Sequence, residues 1–109
     1  MTAGKVRMTL NEYQQSALVF QLDSAKNISY LITGLAAEAG EAAGHYAKQV
    51  RDGVDKKDLI LKEVGDVLWF CAAIADYYDV GLDEIGAANI SKLESRLRRG
   101  VIQGSGDER

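Results

Sequence analysis

The sequence contains no proline, one cysteine and one histidine among its 109 residues. Without proline, no position is barred from a helix interior by a missing N–H group and a clashing ring. A single cysteine cannot form a disulfide within the chain, so nothing indicates an oxidising compartment and we expect a cytoplasmic protein. Positive charge is not in excess either, since 16 acidic residues outnumber 13 Lys and Arg residues. This balance argues against general nucleic-acid binding, which depends on such an excess.

Long apolar segments are missing as well. The N-terminal stretch has no continuous apolar region of the kind that a signal peptide needs. The longest apolar run covers residues 67–75, which is too short to cross a bilayer. We therefore expect no membrane association. At 11.9 kDa, the chain can bury one hydrophobic core but not two, so the prediction is a single domain over residues 1–109.

Apolar residues recur at helical spacing almost throughout, and no segment has the two-residue period of a strand. Thr9 and Glu12 have the spacing of a capping box, Gly53 follows a helix as a C-terminal stop, and Asp83 has the position of an N-cap. These signals predict an all-α four-helix bundle with short connections. Its helices are expected at residues 9–22, 28–51, 55 or 58 to 78, and 83–99. The tail, about residues 101–109, cannot bury apolar area and is expected to be mobile.

Acidic residues occupy unexpected positions in the second and third predicted helices. Glu38 and Glu41 are the only formally charged residues between positions 29 and 47, and their spacing of three puts both on one helix face. That face also carries the apolar residues expected to point to the core. Glu63 and Asp66 repeat the arrangement in the third helix. Four carboxylates therefore lie in the two most apolar helix faces of the protein.

Burying an ionised carboxylate without a partner costs several kcal/mol, and neighbouring carboxylates also repel one another. A divalent cation is the simplest way to compensate for both effects. Mg²⁺ prefers hard oxygen ligands and retains several waters, so two facing pairs of carboxylates suit one to three such ions. The alternative is that these acids lie at the exposed edge of the bundle and are simply solvated.

The fourth predicted helix supplies the opposite charge. Asn89, Lys92 and Arg96 follow at spacings of three and four, so they share one face. Amide and cationic side chains that project together are suited to hold phosphate oxygens. Arg98 and Arg99 have an equally good structural explanation, because cations at a helix C-terminus interact favourably with the helix dipole.

Together these segments resemble the MazG-like branch of the all-α nucleoside triphosphate pyrophosphohydrolases. Glu38-x-x-Glu41 is followed after 21 residues by Glu63-x-x-Asp66, as in the two core segments of that family. The segment that runs from Asn89 through Lys92 resembles its third segment. The resemblance covers about residues 30–100.

The resemblance implies a hydrolase that cleaves a nucleoside triphosphate, NTP or dNTP, to the monophosphate and pyrophosphate. It implies Mg²⁺ as the cofactor, with Mn²⁺ as a substitute, and a role in nucleotide-pool control or house-cleaning. Glu38, Glu41, Glu63 and Asp66 would be the metal ligands. Either Glu38 or Glu41 would hold the attacking water, and the sequence does not choose between them.

Asn89 and Lys92 would contact the substrate, and Arg96 would join Lys92 in stabilising charge on the leaving pyrophosphate. Family members of this size resemble dimers or tetramers, so a homodimer or homotetramer is implied. The sequence agrees, because the third helix is apolar on nearly all sides and needs more than one neighbour. Its additional apolar positions are Leu61, Val64 and Leu68.

Two other functional classes also place acidic or apolar side chains in a helical bundle. A carboxylate-bridged di-iron bundle needs two Glu-x-x-His motifs, whereas this chain has only His45, four residues after Glu41. A non-catalytic helical adaptor or antitoxin-like module would use the apolar third helix as a partner surface. Metal dependence separates the two remaining hypotheses, because an adaptor should fold and associate equally well without Mg²⁺.

Overall fold

The computed structural model describes residues 6–109 and confirms the all-α prediction, with no strand in that range. One 3₁₀ turn, Asp23–Ala25, lies between the first two helices. The four α-helices are α1 (Leu10–Leu18), α2 (Ile28–Asp52), α3 (Lys57–Tyr77) and α4 (Leu82–Arg98). None of the helices in the described part of the chain combines the length and apolar character that a bilayer crossing requires.

Two predicted helix ends are confirmed. The Thr9 hydroxyl accepts the Glu12 N–H at 3.0 Å and the Glu12 carboxylate accepts the Thr9 N–H at 2.7 Å, which completes the capping box of α1. Gly53 ends α2 in the left-handed conformation, at φ 70°, and donates its N–H to the Gln49 carbonyl. A side chain is disfavoured at that φ, so glycine is the residue that lets the chain turn there into α3.

The first helix is shorter than predicted, because it ends at Leu18 and not near Leu22. In a longer helix the Ala17 carbonyl would accept the N–H of Gln21. Here that carbonyl accepts the Phe20 N–H at 3.3 Å and the Trp69 indole N–H at 3.0 Å, while Gln21 donates to Leu18. The end of α1 therefore tightens to bonds between residues three apart, and a side chain of α3 binds the same end.

The predicted N-cap of α4, Asp83, is wrong, because side chains of α1 cap that helix. The Gln14 side-chain oxygen accepts the Leu82 N–H at 3.0 Å, and the Asn11 side-chain oxygen accepts the Asp83 N–H at 2.8 Å. Gln14 is buried and also donates to the carbonyls of Ala72 and Val80. One amide side chain thus connects α1, α3 and the start of α4.

The apolar core lies between the N-terminal half of α2 and the C-terminal half of α3. Leu31, Phe70 and Ala73 form one buried cluster, and Ala72, Ala75 and Leu82 form a second, which α4 enters. Gly34 allows the Phe70 ring to lie directly against the backbone of α2, since a Cβ at that position would overlap the ring.

The chain is extended for its size. Its radius of gyration is 16.6 Å, whereas a compact domain of this length has about 13 Å. It exposes 8076 Å², and a compact monomer of this mass would expose about 6,000 Å². Large apolar side chains at least half exposed lie on both long helices, among them Ile32, Val50, Leu61 and Val64. One chain therefore leaves much of its apolar surface uncovered.

The close approach at Gly34 predicts opposite effects for two glycine-to-alanine substitutions in α2. Gly34→Ala should lower the free energy of unfolding by about 1–3 kcal/mol, because the added methyl group displaces a buried ring. Gly40→Ala should raise it by up to about 1 kcal/mol, because alanine is the better helix former and a Cβ at residue 40 meets nothing within 4 Å. Urea unfolding of both variants at one protein concentration measures the difference. Equal stabilisation by both would show that Phe70 does not rest on Gly34.

Candidate metal centre

Three carboxylates meet where α2 and α3 face each other. Glu38 and Glu41 project from one side of α2, and Glu63 projects towards them from α3. Each offers an oxygen that lies within 4.8 Å of an oxygen of the other two. The i, i+3 spacing on α2 and the antiparallel pairing of the two helices produce this arrangement. Side chains from both helices could therefore hold one cation between them.

Two of these carboxylates are partly buried and incompletely hydrogen-bonded. Within the described residues, the Oε2 atoms of Glu38 and Glu63 are both inaccessible to solvent and have no hydrogen-bond partner. Glu41 is exposed. A buried acceptor without a partner keeps its full desolvation cost, which is larger for a charged group. Hard oxygen atoms in this state fit the ligand preference of Mg²⁺.

The neighbouring acids change the ionisation of Glu41. The pKa of Glu41 is raised above its ordinary value, first because Glu41 shares a hydrogen bond with Glu63 and second because the two negative charges repel. Partial desolvation adds to the rise, while a hydrogen bond with Glu38 and the nearby His45 oppose it. Like charges at this separation favour a shared proton. A divalent cation would replace that proton and relieve the same repulsion.

A cleft of about 360 Å³ opens beside the carboxylates and is lined by Glu41, Gly44, His45 and Lys48. The His45 Nε2 atom lies 3.7 Å from a Glu63 oxygen, which is too long for a hydrogen bond. His45 follows Glu41 by about one turn of α2, so it lies beside the cluster. The cleft therefore combines the carboxylate of Glu41 with the imidazole of His45 and the amine of Lys48.

The fourth predicted ligand, Asp66, is not part of the three-carboxylate group. It lies one turn beyond Glu63 on α3 and is exposed. Its charge acts instead towards α1, where it raises the pKa of the half-buried Tyr13, although burial of that phenol is the larger cause. The chain as described thus brings together three of the four acidic side chains that the sequence singled out.

The predicted substrate contacts on α4 line a different depression. Asn89 and Lys92, with Ile85 and Ala88, border a cleft of about 340 Å³. Lys92 and the buried Arg96 both bind the carboxylate of Asp107 in the C-terminal tail. No local sequence signal predicts a role for Asp107, because its contact with Lys92 and Arg96 depends on the tail folding back onto α4.

Comparison with known proteins relates the chain to a phage protein. No family model matches the chain, and no solved structure shows significant similarity to it. The Gene 37 protein of Mycobacterium phage L5 is 46% identical over 92 residues, which cover 80% of this chain and 81% of that protein. The similarity therefore extends over most of both sequences.

Repulsion within the cluster predicts that Glu41→Gln stabilises the metal-free protein at neutral pH. The folded-state pKa of Glu41 is raised above its ordinary 4.5, so ionisation costs stability. The cost is absent below pH 4.5 and grows as the pH rises through the folded-state pKa. Thermal unfolding in EDTA should show an advantage of the variant that increases from pH 4 to pH 7.

A matched substitution, Glu94→Gln, removes an exposed carboxylate of α4 and should give no such pH-dependent gain. Added Mg²⁺ should raise the unfolding temperature of the unmodified protein more than that of Glu41→Gln. A Glu41→Gln protein less stable than the unmodified chain at pH 7 in EDTA would contradict the repulsion.

Proposed function

The chain belongs to the same family as the Gene 37 protein of Mycobacterium phage L5, and we propose that it is a Mg²⁺-dependent nucleoside triphosphate pyrophosphohydrolase. The observation that carries the proposal is the pair of buried carboxylate oxygens, Glu38 Oε2 on α2 and Glu63 Oε2 on α3, which have no hydrogen-bond partners in the described chain. Both carboxylates belong to the group whose ligand oxygens lie within 4.8 Å of one another. The resemblance of these helices to MazG-like enzymes supports the same assignment. Such an enzyme would control a nucleotide pool by removing aberrant or surplus triphosphates.

Glu38, Glu41 and Glu63 would hold the metal, and Asp66 would join them after a change of rotamer. Bound Mg²⁺ supplies charge neutralisation for the polyphosphate and lowers the pKa of a coordinated water. Glu41 is exposed beside the cleft and is therefore suited to hold the attacking water. Glu38 is partly buried, so it is suited to orient the metal.

Asn89, Lys92 and Arg96 would bind the phosphates. Cationic donors near the scissile bond stabilise charge on a departing pyrophosphate. Asn89 and Lys92 line a cleft that contains none of the three clustered carboxylates. We therefore propose that the complete site forms in an oligomer, in which α4 and the acidic cluster of different subunits can approach each other.

The exposed surface supports a homodimer or homotetramer. The chain exposes about 2,000 Å² more than a compact monomer of its mass. A standard stable interface buries about 800 Å² on each partner, so the excess is sufficient for one or two self-contacts. Leu61, Val64 and Leu68 of α3 are 55%, 52% and 37% exposed, and they form the apolar side of that helix that faces away from the acids.

The same exposed surface is the observation that favours the alternative function, a non-catalytic helical adaptor. An adaptor would bury Leu61 and Val64 against a different protein. It would not need the unpartnered carboxylates to bind a metal. Its association should therefore be indifferent to Mg²⁺. The enzyme, in contrast, should bind Mg²⁺ and a nucleoside triphosphate together.

Incubation with canonical and modified NTPs and dNTPs in Mg²⁺ should release pyrophosphate and the nucleoside monophosphate. Glu63→Gln should lower the rate at least about 100-fold, because loss of a ligating carboxylate removes part of a metal interaction worth several kcal/mol. Asp66→Asn should also lower it strongly if Asp66 joins the site. Chromatography of the products distinguishes pyrophosphate from orthophosphate.

Glu94→Gln provides the control, since it removes the same functional group from an exposed position on α4 and should leave the rate unchanged. Release of orthophosphate alone would indicate another phosphohydrolase. If correctly folded protein released neither product from any substrate, the adaptor would be the better hypothesis.

Sedimentation equilibrium should give a mass of at least twice the 11.9 kDa of the chain. Val64→Asp should shift the protein towards monomer, because a charge on the apolar side of α3 would be buried without a partner. Leu97→Asp is the matched control, since Leu97 is 72% exposed on α4 and away from that side. A monomeric unmodified protein would exclude the proposed assembly.

A further inference from the structure

The C-terminal tail folds back onto α4 through turns that only glycine adopts easily. Gly100 and Gly106 have φ of 72° and 83°, a region in which other residues are strained. At Gly104 a Cβ would meet the Arg109 side chain at 2.6 Å. Arg109 closes the fold-back by donating to the main-chain oxygens of Val101, Ile102 and Gly106. The glycines of the tail therefore supply the backbone conformations that the fold-back needs.

The folded tail places one carboxylate on two of the cations of α4. Lys92 Nζ donates to Asp107 Oδ1 at 2.7 Å, and Arg96 Nη2 donates to the same oxygen at 3.0 Å. Arg96 Nη2 also donates to the Asp107 main-chain oxygen at 3.0 Å. Hydrogen bonds from Lys92 and then Arg96 hold the pKa of Asp107 below its ordinary value. The carboxylate is therefore ionised at neutral pH and acts as a bound anion.

Arg96 has binding capacity that Asp107 does not use. Arg96 is 6% exposed, and its Nε atom is buried without a hydrogen-bond partner in the described residues. A guanidinium group presents its donors in a fork that matches two oxygens of a carboxylate or phosphate. Asp107 engages only Nη2. An anion with more oxygens would satisfy both sides of the fork, and a phosphate group has this property.

We propose that the C-terminal tail is an internal competitor for phosphate, in which Asp107 occupies the anion position on Lys92 and Arg96 until a polyphosphate displaces it. This inference rests on the proposed function, which assigns those two cations to the substrate phosphates. Displacement frees both cations beside the depression bordered by Asn89 and Lys92 and leaves Asp107 in solvent. The tail thereby lowers the apparent affinity of these cations for a polyphosphate.

The contact is weak enough to be displaced. The Asp107 side chain is 73% exposed and that of Lys92 is 39% exposed, so solvent screens much of their attraction. A pyrophosphate group carries several negative charges and several oxygens, whereas Asp107 contributes one charge. The larger anion consequently forms more charge-assisted hydrogen bonds on the same donors. The tail lowers the apparent affinity in proportion to the fraction of molecules in which it is bound.

Binding of inorganic pyrophosphate to the full chain, measured by isothermal titration calorimetry, tests the inference without hydrolysis. Asp107→Asn should bind pyrophosphate about two- to fivefold more tightly than the unmodified chain, as expected from the loss of one exposed ion pair. Glu108→Gln makes the same change of charge one residue along, at an exposed position, and should leave the affinity unchanged. Gly106→Ala keeps all charges but strains the turn, and should also tighten binding.

Lys92→Gln tests whether the tail acts through Lys92. This substitution should weaken pyrophosphate binding, and in the double variant it should abolish the gain in affinity that Asp107→Asn produces. Circular dichroism confirms that each variant retains its helices. The inference is overturned if Asp107→Asn binds no more tightly than the unmodified chain, if Glu108→Gln gives an equal gain, or if none of the proteins binds pyrophosphate.

Hydrolysis assays on the same proteins separate this inference from the proposed function. Tighter pyrophosphate binding by Asp107→Asn without turnover of any triphosphate would support the tail as a competitor and contradict the enzyme. Turnover with unchanged pyrophosphate affinity would support the enzyme and contradict the competitor.

Discussion

Two long helices, α2 and α3, meet along an apolar contact that also contains acidic side chains. The free-energy cost of holding those acids close together is the main constraint on the structure. Glu38 and Glu63 bury carboxylate oxygens that have no hydrogen-bond partner in the described chain, while Glu41 adjoins them. The pKa of Glu41 is raised first because Glu41 shares a hydrogen bond with Glu63 and second because the two charges repel, so a shared proton compensates in part. A divalent cation would compensate more fully, because it would attract all three carboxylates at once. Packing at Leu31 and Phe70 supplies the apolar contact that keeps the helices together despite this repulsion.

The two remaining helices are fastened to this pair at one end by polar contacts of a few side chains. Gln14 is buried and forms hydrogen bonds with backbone groups of α3, of the following loop and of the first residue of α4. The Trp69 indole donates to the Ala17 carbonyl at the end of α1. Such bonds are directional, so they define where α1 stops and where α4 starts more sharply than apolar packing could. The position of α4, and with it the position of Lys92 and Arg96, follows from a glutamine on a different helix.

The extended shape and the folded tail both affect the proposed active site. A chain that exposes 8076 Å² and has a radius of gyration of 16.6 Å leaves room for other copies to cover α2 and α3, which would bring acidic and basic surfaces of different subunits together. The tail meanwhile supplies Lys92 and Arg96 with a temporary anion from the chain itself. Burying the Arg96 guanidinium without an anion would destabilise the protein, so Asp107 also stabilises α4 when no substrate is bound.

Local sequence determined the helical class, the capping box at Thr9, the glycine end of α2 and the faces that carry the acids, because each depends on residues within one or two turns of a helix. The group formed by Glu38, Glu41 and Glu63 was also predictable, since a short connection makes α2 and α3 antiparallel neighbours. Only the tertiary structure decided that α1 ends at Leu18, that Gln14 caps α4, that Asp66 lies apart and that Asp107 reaches Lys92. These four features depend on contacts between residues distant in sequence or on the turn of the tail, and no local periodicity encodes the distance between two such side chains.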